Sequence, residues 1–318
     1  MEGERKTRMP SNNPIKQQRL KGYQPVHTLQ STILILLVIG VLFFIFGVAL
    51  YLEADKAIEI TQRYDDLPEC QVSLDNSTTC RVALDIKFDM KKPVFLYYQM
   101  RYFYQNYRTY VKSKSWTQLR GDDIDSTKLA DCDPVEYVKD LNVKSSLNGE
   151  ILDSESVANP CGLVAKSFFN DTYAFYNASN DQIPIRETGI ALESDFETFI
   201  NSDNYKTIQW IDKEDEHFIN WMKIAAMRKF WKLWGVVDQD IKAGQYFVDI
   251  TNNYDVSKWG GEKAVVLTTV NALGAKNFFL GSVFLCAGIL CCIATVFFCS
   301  MGVMSEKRII EGDHLKWK

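Results

Sequence analysis

Apolar residues are concentrated in two long uncharged runs, one near each end of the chain. The first run extends from Thr32 to Leu52 and the second from Asn277 to Met304. In an α-helix about 20 apolar residues, rising about 1.5 Å each, cross a hydrocarbon core about 30 Å thick. The first run is too long and too far from the start for a cleavable signal peptide. The pattern therefore predicts two membrane-spanning helices, residues 32–52 and 277–304.

Shorter stretches between the two runs alternate apolar and polar residues, which is typical of half-buried strands. They are Cys80–Phe88, Val94–Met100, Gln245–Ile250 and Ala264–Val270. The segments ITNNYD and KWGGEK are rich in Asn or Gly and predict turns between strands. Because residues 53–276 contain neither a Gly/Ser-rich linker nor an internal repeat, we expect one mainly antiparallel β domain with short helices.

One stretch of this central region, Asp215–Leu233, has the periodicity of a helix that would end at Gly235. Its acidic first turn is followed by apolar residues at helical spacing, namely Phe218, Trp221, Met222 and Ala225. The basic, Trp-rich second half of the stretch is compatible with contact to lipid headgroups. It is equally compatible with a helix that covers the sheet and directs its lysines outwards.

Basic residues are more numerous outside the two runs than between them. Ten flank the outer ends: Arg5, Lys6, Arg8, Lys16, Arg19, Lys21, Lys307, Arg308, Lys316 and Lys318. Five flank the inner ends: Lys56, Arg63, Lys258, Lys263 and Lys276. Since basic flanks are retained in the cytosol, we expect cytosolic tails (residues 1–31 and 305–318) and an exoplasmic domain (residues 53–276).

Sequons and cysteines agree with that orientation. All three Asn-x-Ser/Thr sequons, at Asn76, Asn170 and Asn177, lie between the runs and are candidate glycosylation sites. Four cysteines share this region: Cys70, Cys80, Cys132 and Cys161. They permit two disulfides in three connectivities, of which we favour pairing between neighbours. The other four, in the second run, are interpreted as packing residues: Cys286, Cys291, Cys292 and Cys299.

Catalytic signatures are missing from the sequence. It contains no phosphate-binding G-x-x-x-x-G-K-[ST], no H-E-x-x-H and no G-x-S-x-G motif. His217 is the one histidine of the central region and has no cysteine nearby, which disfavours zinc. The acidic pairs Asp65–Asp66 and Asp122–Asp123 are interpreted as solvated turns rather than a metal site. We therefore predict no catalytic, cofactor-binding or metal-binding residues.

Composition and the spans narrow the function further. A net charge of −4 with 47% hydrophobic residues indicates neither disorder nor nucleic-acid binding. Neither span contains Asp, Glu, Lys, Arg or His, which disfavours a transporter that works alone. Each span does carry two glycines seven residues apart, Gly40 with Gly47 and Gly281 with Gly288. Such spacing places both glycines on one face, for docking with the other span or with a partner's helices.

Five sequence blocks carry a family resemblance. They are QQRLKGYQP (17–25), YYQMRYFYQNYRTYVKS (97–113), NPCGLVAKSFFNDTY (159–173), FINWMKIAA (218–226), and ITNNYDVSKWGGEK through LGAKNFFLG (250–281). In this order and between two spans, they resemble the eukaryotic cell-division-cycle-fifty and ligand-effect-modulator proteins. These proteins are non-catalytic β-subunits of type IV P-type ATPases, the phospholipid flippases. The chain departs from the pattern at Tyr107, where the family usually has His, and at Ala275, where it has Gly.

The resemblance implies a subunit that binds a flippase catalytic chain, lets it leave the endoplasmic reticulum and supports its phosphorylation cycle. It implies a β-sandwich-like exoplasmic domain with disulfides Cys70–Cys80 and Cys132–Cys161 and a glycan on Asn170. The catalytic chemistry would belong to the partner, in the endoplasmic reticulum, Golgi, endosomes or plasma membrane, and no cofactor is expected here. Two alternatives remain open: a subunit of a ligand-gated ion channel with two spans per chain, and a membrane-tethered hydrolase.

Overall fold

The computed structural model describes residues 13–19, 28–71, 78–124, 126–271 and 274–304. Its α-helices are α1 (Leu29–Asp55), α2 (Arg108–Lys112), α3 (Trp116–Leu119), α4 (Leu163–Lys166), α5 (Tyr205–Ile208), α6 (Glu216–Met222) and α7 (Phe279–Met304). Its strands are β1 (Glu59–Arg63), β2 (Thr78–Ile86), β3 (Val94–Arg101), β4 (Thr172–Tyr176), β5 (Gln182–Ile183), β6 (Lys229–Val237), β7 (Gly244–Asn252) and β8 (Glu262–Thr269). The chain divides into a helical unit, residues 1–52 with 278–318, and a central domain, residues 53–277.

The helical unit contains the two predicted spans, and both helices are long and apolar enough to cross a membrane. Helix α1 extends beyond the apolar run at both ends and includes Glu53 and Asp55, because its backbone hydrogen bonds continue past the first charged residue. Helix α7 begins at Phe279, two residues after the predicted start. The chain is therefore a membrane protein with two apolar terminal helices.

The four spaced glycines lie where α1 and α7 contact each other. A Cβ atom on Gly288 would lie 3.0 Å from the carbonyl oxygen of Gly40, and one on Gly281 would lie 3.3 Å from that of Gly47. A Cβ on Gly40 would meet Cys291 Cβ at 3.1 Å and Cys292 Sγ at 3.2 Å. The first alternative for these glycines, docking of the two spans with each other, is therefore what the structure shows.

The central domain contains two four-stranded antiparallel sheets, ordered β1-β8-β3-β6 and β2-β7-β4-β5. Inward residues of both sheets form one hydrophobic core, to which β2 contributes Val82 and Leu84 and β3 contributes Leu96 and Met100. Burial alternates along β2, so that every second residue from Cys80 to Ile86 is buried. The predicted fold class, a mainly antiparallel sandwich-like domain between two apolar helices, is confirmed, and the four predicted strands agree to within two residues.

The predicted helix over Asp215–Leu233 is wrong in its second half. Helix α6 ends at Met222, and residues 229–237 form β6 beside β3 in the sheet. Phe230, Lys232 and Trp234 are buried at every second position of this strand, which is the period of a strand and not of a helix. The alternative of a helix that directs its lysines outwards is wrong, since the segment is a strand in which Lys232 is buried together with Phe230 and Trp234.

Gly235 lies inside β6 and does not end a helix. The pairing of β6 with β3 shifts register beside it, between Leu96 and Tyr97. A Cβ on Gly235 would lie 2.3 Å from Cγ2 of Ile185. The glycine is therefore required for close packing at an irregularity of the sheet.

Candidate functional sites: a buried polar centre and an exposed aromatic surface

An ion pair is enclosed in the central domain. Lys263 Nζ, on β8, lies 2.6 Å from Asp171 Oδ2, just before β4, and the two side chains are 1% and 0% exposed. The ammonium also donates to Asn252 Oδ1 and to the carbonyl oxygen of Tyr254. The pair thus joins a strand of one sheet to the start of a strand of the other.

The carboxylate of Asp171 has a full set of donors. Besides Lys263, it accepts hydrogen bonds from the hydroxyl of Tyr64 and from the backbone N–H groups of Asn253 and Tyr254, each at 2.7 Å. The hydroxyls of Tyr64 and Tyr173 are 2.9 Å apart. Buried charges are tolerated when they are paired and hydrogen-bonded in this way. We call this cluster of Tyr64, Asp171, Tyr173, Asn252 and Lys263 the polar centre.

Burial sets the electrostatics of the polar centre. It lowers the pKa of Lys263, although the nearby Asp171 carboxylate acts in the opposite direction. It raises the pKa of Tyr64 well above its usual value, and the neighbouring Tyr173 and Asp171 raise it further. Because these side chains are closed to solvent, they hold chain segments together rather than meet a substrate. Segments of two of the sequence blocks converge here, FNDTY from one and ITNNYD with GGEK from the other.

Two further lysines are buried with carbonyl and hydroxyl partners. Lys213 Nζ donates to the carbonyl oxygen of Gln118 at 2.6 Å and to Ser202 Oγ at 3.1 Å, and burial lowers its pKa to about 8. Lys232 Nζ donates to the carbonyl oxygens of Asn220, at 2.9 Å, and Lys223. Burial, together with the charge of Lys223, lowers the pKa of Lys232 to about 7.

Sequence reasoning missed Lys213 because it lies in the charged run Asp212–Glu216, and it missed Lys232 and Lys263 because each lies next to apolar strand residues. Lys232 occupies the inward position between Phe230 and Trp234. Lys263 directly follows Glu262 and precedes the buried run Ala264–Leu267. A lysine at an inward position of an alternating strand is the signal that would have identified Lys232 and Lys263.

The polar groups around His217 form a structural contact. His217 Nε2 lies 3.1 Å from Glu187 Oε2, and Asp215 caps α6 by accepting from the His217 N–H at 3.1 Å. Burial raises the pKa of Asp215, while His217 lowers it. Among the described residues no group of three His, Cys, Asp or Glu side chains is arranged to hold a metal ion.

The interpretation of the acidic pairs as solvated turns does not hold for Asp65. Asp122 and Asp123 are exposed, but Asp65 is largely enclosed. Asp65 accepts from Arg63 Nη2 at 2.7 Å and from the backbone N–H of Lys263 at 2.6 Å. This carboxylate therefore links β1 to β8.

The structure pairs Cys70 with Cys80 and Cys132 with Cys161, at Cα–Cα distances of 5.1 and 5.6 Å. All four cysteines are buried. Cys132 and Cys161 lie in a second, smaller hydrophobic cluster with Val135, Leu141 and Ala158. The four cysteines of α7 are unpaired.

The sequon asparagines differ in their surroundings. Asn170 is exposed, immediately before Asp171 of the polar centre. Asn177 lies in a turn, where its Nδ2 donates to Asp181 Oδ2 at 3.0 Å. Asn76 lies outside the described residues.

An aromatic surface is exposed where the loop after β3 meets the loop before β6. It consists of Tyr102, Tyr104, Tyr107, Met227 and Arg228, of which Tyr107 and Met227 are 66% and 72% exposed. The guanidinium of Arg228 lies 5.6 Å from the ring centre of Tyr102. Two hydrogen bonds fix the loops to each other, from Asn106 Nδ2 to the Ala226 carbonyl at 2.9 Å and from the Ala225 N–H to Gln105 Oε1 at 2.8 Å.

Comparison with known proteins finds relatives that match along most of their length. The chain is 32% identical to "ALA-interacting subunit 3" of Arabidopsis thaliana, over 98% of this chain and 91% of the relative. It is 31% identical to "Cell cycle control protein 50A" of Mus musculus, over 90% and 87%. It is 30% identical to "Phospholipid-transporting ATPase accessory subunit CDC50" of Chaetomium thermophilum, over 76% and 65%.

The fold of this chain, with two apolar terminal helices and a β domain between them, defines the class of protein to which it belongs. Residues 50–308 match the family described as LEM3 (ligand-effect modulator 3) family / CDC50 family. The chain belongs to this family.

Proposed function

We propose that this chain is the accessory (β) subunit of a phospholipid-translocating P-type ATPase. Its partner is the catalytic subunit of a type IV ATPase, which needs it for folding, for export from the endoplasmic reticulum and for flippase activity. The observation that carries the proposal is family membership over residues 50–308, with a relative named as an accessory subunit of such an ATPase.

The subunit is non-catalytic in this proposal. Its most unusual charged groups, the polar centre and the buried lysines Lys213 and Lys232, are enclosed and engaged by neighbouring protein atoms. Such groups serve stability and not turnover. The ATP site and the phosphorylated aspartate belong to the partner.

We also propose that residues 1–31 and 305–318 face the cytosol, that residues 32–52 and 277–304 span the membrane, and that residues 53–276 are exoplasmic. The excess of basic residues outside the two runs supports this orientation. The disulfides and sequons of the central domain suit an oxidising, glycosylating compartment. The complex resides in the endoplasmic reticulum, Golgi, endosomes or plasma membrane.

The aromatic surface is our candidate for contact with the catalytic subunit. Tyrosine, methionine and arginine are enriched at protein interfaces, and exposed tyrosines on hydrogen-bonded loops lose little entropy on binding. Both loops of this surface come from blocks that carry the family resemblance, YYQMRYFYQNYRTYVKS and FINWMKIAA.

Co-purification tests the proposed function. The full-length chain, tagged and expressed in eukaryotic cells, is purified in mild detergent, and accompanying chains are identified by mass spectrometry. We expect a P-type ATPase catalytic subunit. The double variant Tyr104→Ser/Tyr107→Ser should lower its yield about tenfold, a loss of about 1.4 kcal/mol. Phe88→Ser is the matched control, because Phe88 is exposed on a different loop. An eluate without any P-type ATPase, with lipid asymmetry unchanged after loss of this chain, contradicts the proposal.

Protease protection tests the orientation separately. In sealed microsomes, added protease should shorten the chain only by its tails and leave residues 53–276 intact. Digestion of the central domain with survival of both tails would reverse the proposed topology.

A further inference from the structure

A cleft of about 760 Å³ opens on the surface of the central domain. Its size lies within the range of about 300–1,000 Å³ that is typical of binding sites for small molecules. Aromatic rings form much of the wall, including Phe103, Trp210, Tyr254 and Trp259. Asparagine and lysine side chains complete it, among them Asn142, Asn253 and Lys258.

The exposed ring in this cleft is Trp259, whose residue is 40% exposed. Its ring centre lies 5.7 Å from that of Phe103 and 6.0 Å from that of Tyr254. Two glycines position it. Gly260 adopts a positive φ of 67°, and a Cβ on Gly261 would lie 2.5 Å from Nε1 of Trp259. The GG of KWGGEK is therefore needed for the indole to lie where it does.

The cleft has the chemistry of a carbohydrate site. A pyranose ring presents an apolar face of C–H groups, which an exposed aromatic ring covers, and a rim of hydroxyls, which act as donors and acceptors. The side-chain amide of asparagine can both donate a hydrogen bond to a sugar hydroxyl and accept one from it, and the lysine ammonium donates to hydroxyl oxygens. Both are present beside Trp259.

A sequon asparagine is part of the same wall. Asn170 lines the cleft, and its backbone is fixed on both sides. Its carbonyl oxygen accepts from Asn253 Nδ2 at 2.8 Å, and the next residue, Asp171, is held by the polar centre. A glycan on Asn170 therefore starts from a rigid point beside Trp259 and Asn253.

We infer that this cleft is the docking site of the first sugars of an N-linked glycan carried by Asn170. The glycan comes from a lipid-linked diphospho-oligosaccharide: Asn170 Nδ2 bonds to the anomeric carbon and loses one proton, and the lipid diphosphate leaves. Because the sugars are tethered to the wall, weak stacking and hydrogen bonds suffice to hold them. Asn177 provides the contrast, since it lies in the turn with Asp181 and does not line the cleft.

Native deglycosylation measures the docking. The full-length chain is produced in eukaryotic cells, purified in mild detergent and treated with a peptide N-glycosidase without denaturation, and each sequon is followed by glycopeptide mass spectrometry. We expect the Asn170 glycan to be released about tenfold more slowly than the Asn177 glycan, which corresponds to a free-energy difference of about 1.4 kcal/mol. Trp259→Ala should abolish the difference and Trp259→Phe should retain most of it. Trp116→Ala, at an exposed tryptophan outside the cleft, should leave it unchanged.

A second measurement follows the exposure of Trp259 instead of the glycan, in a chain whose cleft residues other than Asn170 are unchanged. Removal of the sequon by Asn170→Gln or by Thr172→Ala should raise the oxidation rate of Trp259 in hydroxyl-radical footprinting about tenfold, which corresponds to a free-energy difference of about 1.4 kcal/mol. Asn177→Gln should not change it.

The inference rests on the exoplasmic orientation of the central domain, and the outcomes separate the two. Equal release of both glycans, an unmodified Asn170 beside a glycosylated Asn177, or oxidation of Trp259 that does not respond to Asn170→Gln overturns the docking alone. The last result would indicate a different occupant, such as a free ligand or a partner loop. Absence of glycans from both sequons overturns the orientation together with the docking.

Discussion

The helical unit and the central domain bring their elements together in opposite ways. Helices α1 and α7 approach where side chains are missing, at Gly40 with Gly288 and at Gly47 with Gly281. The core of the central domain is instead filled by large side chains, among them Trp221 and Phe175. Lipid surrounds helices as favourably as another helix does, so close van der Waals contact has to hold them together. In water, burial of aromatic area supplies the larger part of the stability.

Polar groups also differ between the two regions. Thr295 of α7 satisfies its hydroxyl within its own helix by donating to the Cys291 carbonyl oxygen at 2.8 Å. The central domain instead buries whole charges and satisfies them with partners distant in sequence, as Lys263 and Asp171 show. The helical unit is therefore sensitive to added volume, whereas the central domain is sensitive to lost partners.

The largest effect is expected at the polar centre. Lys263→Met leaves the Asp171 carboxylate buried without its cation, which should lower the free energy of unfolding by about 3–5 kcal/mol. Chemical denaturation of the purified full-length chain measures it. Lys91→Met removes an exposed ion pair with Asp240 and should be indistinguishable from wild type. Equal losses in the two variants would mean that burial of the pair has no role.

The disulfides come next. In the chain-entropy description, loss of Cys132–Cys161, with a sequence separation of 29, should cost about 4 kcal/mol, and loss of Cys70–Cys80, with a separation of 10, about 3 kcal/mol. Double cysteine-to-serine variants at each pair provide the comparison by the same denaturation experiment. The reverse order would show that native contacts of the shorter loop, and not loop length, decide the result.

A side chain at the helix contact should have a smaller effect on stability. Gly47→Leu brings a Cβ to 2.8 Å from the backbone nitrogen of Leu285, which should force the helices apart at a cost of about 1–3 kcal/mol. The readout is cross-linking of Phe43→Cys to Phe284→Cys by a short bifunctional maleimide, since these rings lie 5.3 Å apart. Gly302→Leu, which meets only a flexible leucine side chain, is the control. Unchanged cross-linking in the Gly47 variant would contradict glycine-mediated contact.

The smallest effect, counted per pH unit, is the contribution of Lys232 to the pH dependence of stability. Its pKa in the folded state is about 7, below the value of about 10.4 in an unfolded chain. Between these values the unfolded state binds more protons, so stability rises with pH, by at most about 1.4 kcal/mol per pH unit. Below pH 7 both states are protonated and the gain is absent. Lys232→Met should make this rise less steep between pH 7 and 10, although the buried lysines Lys213 and Lys263 still contribute to it. Lys229→Met, at an exposed position of β6, should leave the slope unchanged. Equal slopes in the Lys232 variant and the wild type contradict the assignment.

The elements that could be predicted from the sequence are those in which the apolar residues all face a single environment, either lipid or one core. The two apolar runs and strands β2, β3, β7 and β8 were predictable because lipid or a single core face determines each residue in turn. The short strands β4 and β5 were not, because too few residues establish a period.

The segment Asp215–Leu233 shows why the remainder was not predictable. Its first half forms α6 with an N-cap at Asp215, and its second half, which is also rich in aromatic residues, pairs with β3. A partner more than 100 residues away in sequence decides this, and local spacing contains no information about it. The polar centre was hidden for the same reason, because Lys263, Asp171 and Tyr64 meet only in three dimensions. The tyrosines of the aromatic surface, in contrast, all lie in the block YYQMRYFYQNYRTYVKS, whereas Met227 and Arg228 follow directly after FINWMKIAA.

The order of strands in the first sheet has a consequence for biosynthesis. Strand β8 lies between β1 and β3 and pairs with both, from Glu59 opposite Thr268 to Arg101 opposite Glu262. A ribosome that has completed β1 and β3 has therefore made two strands whose shared neighbour is still missing. The sheet closes only after Thr269 has emerged, ten residues before α7 begins. A chain stopped before that point keeps open edges that chaperones can recognise, so completion of this sheet reports that all strands of the central domain have been synthesised.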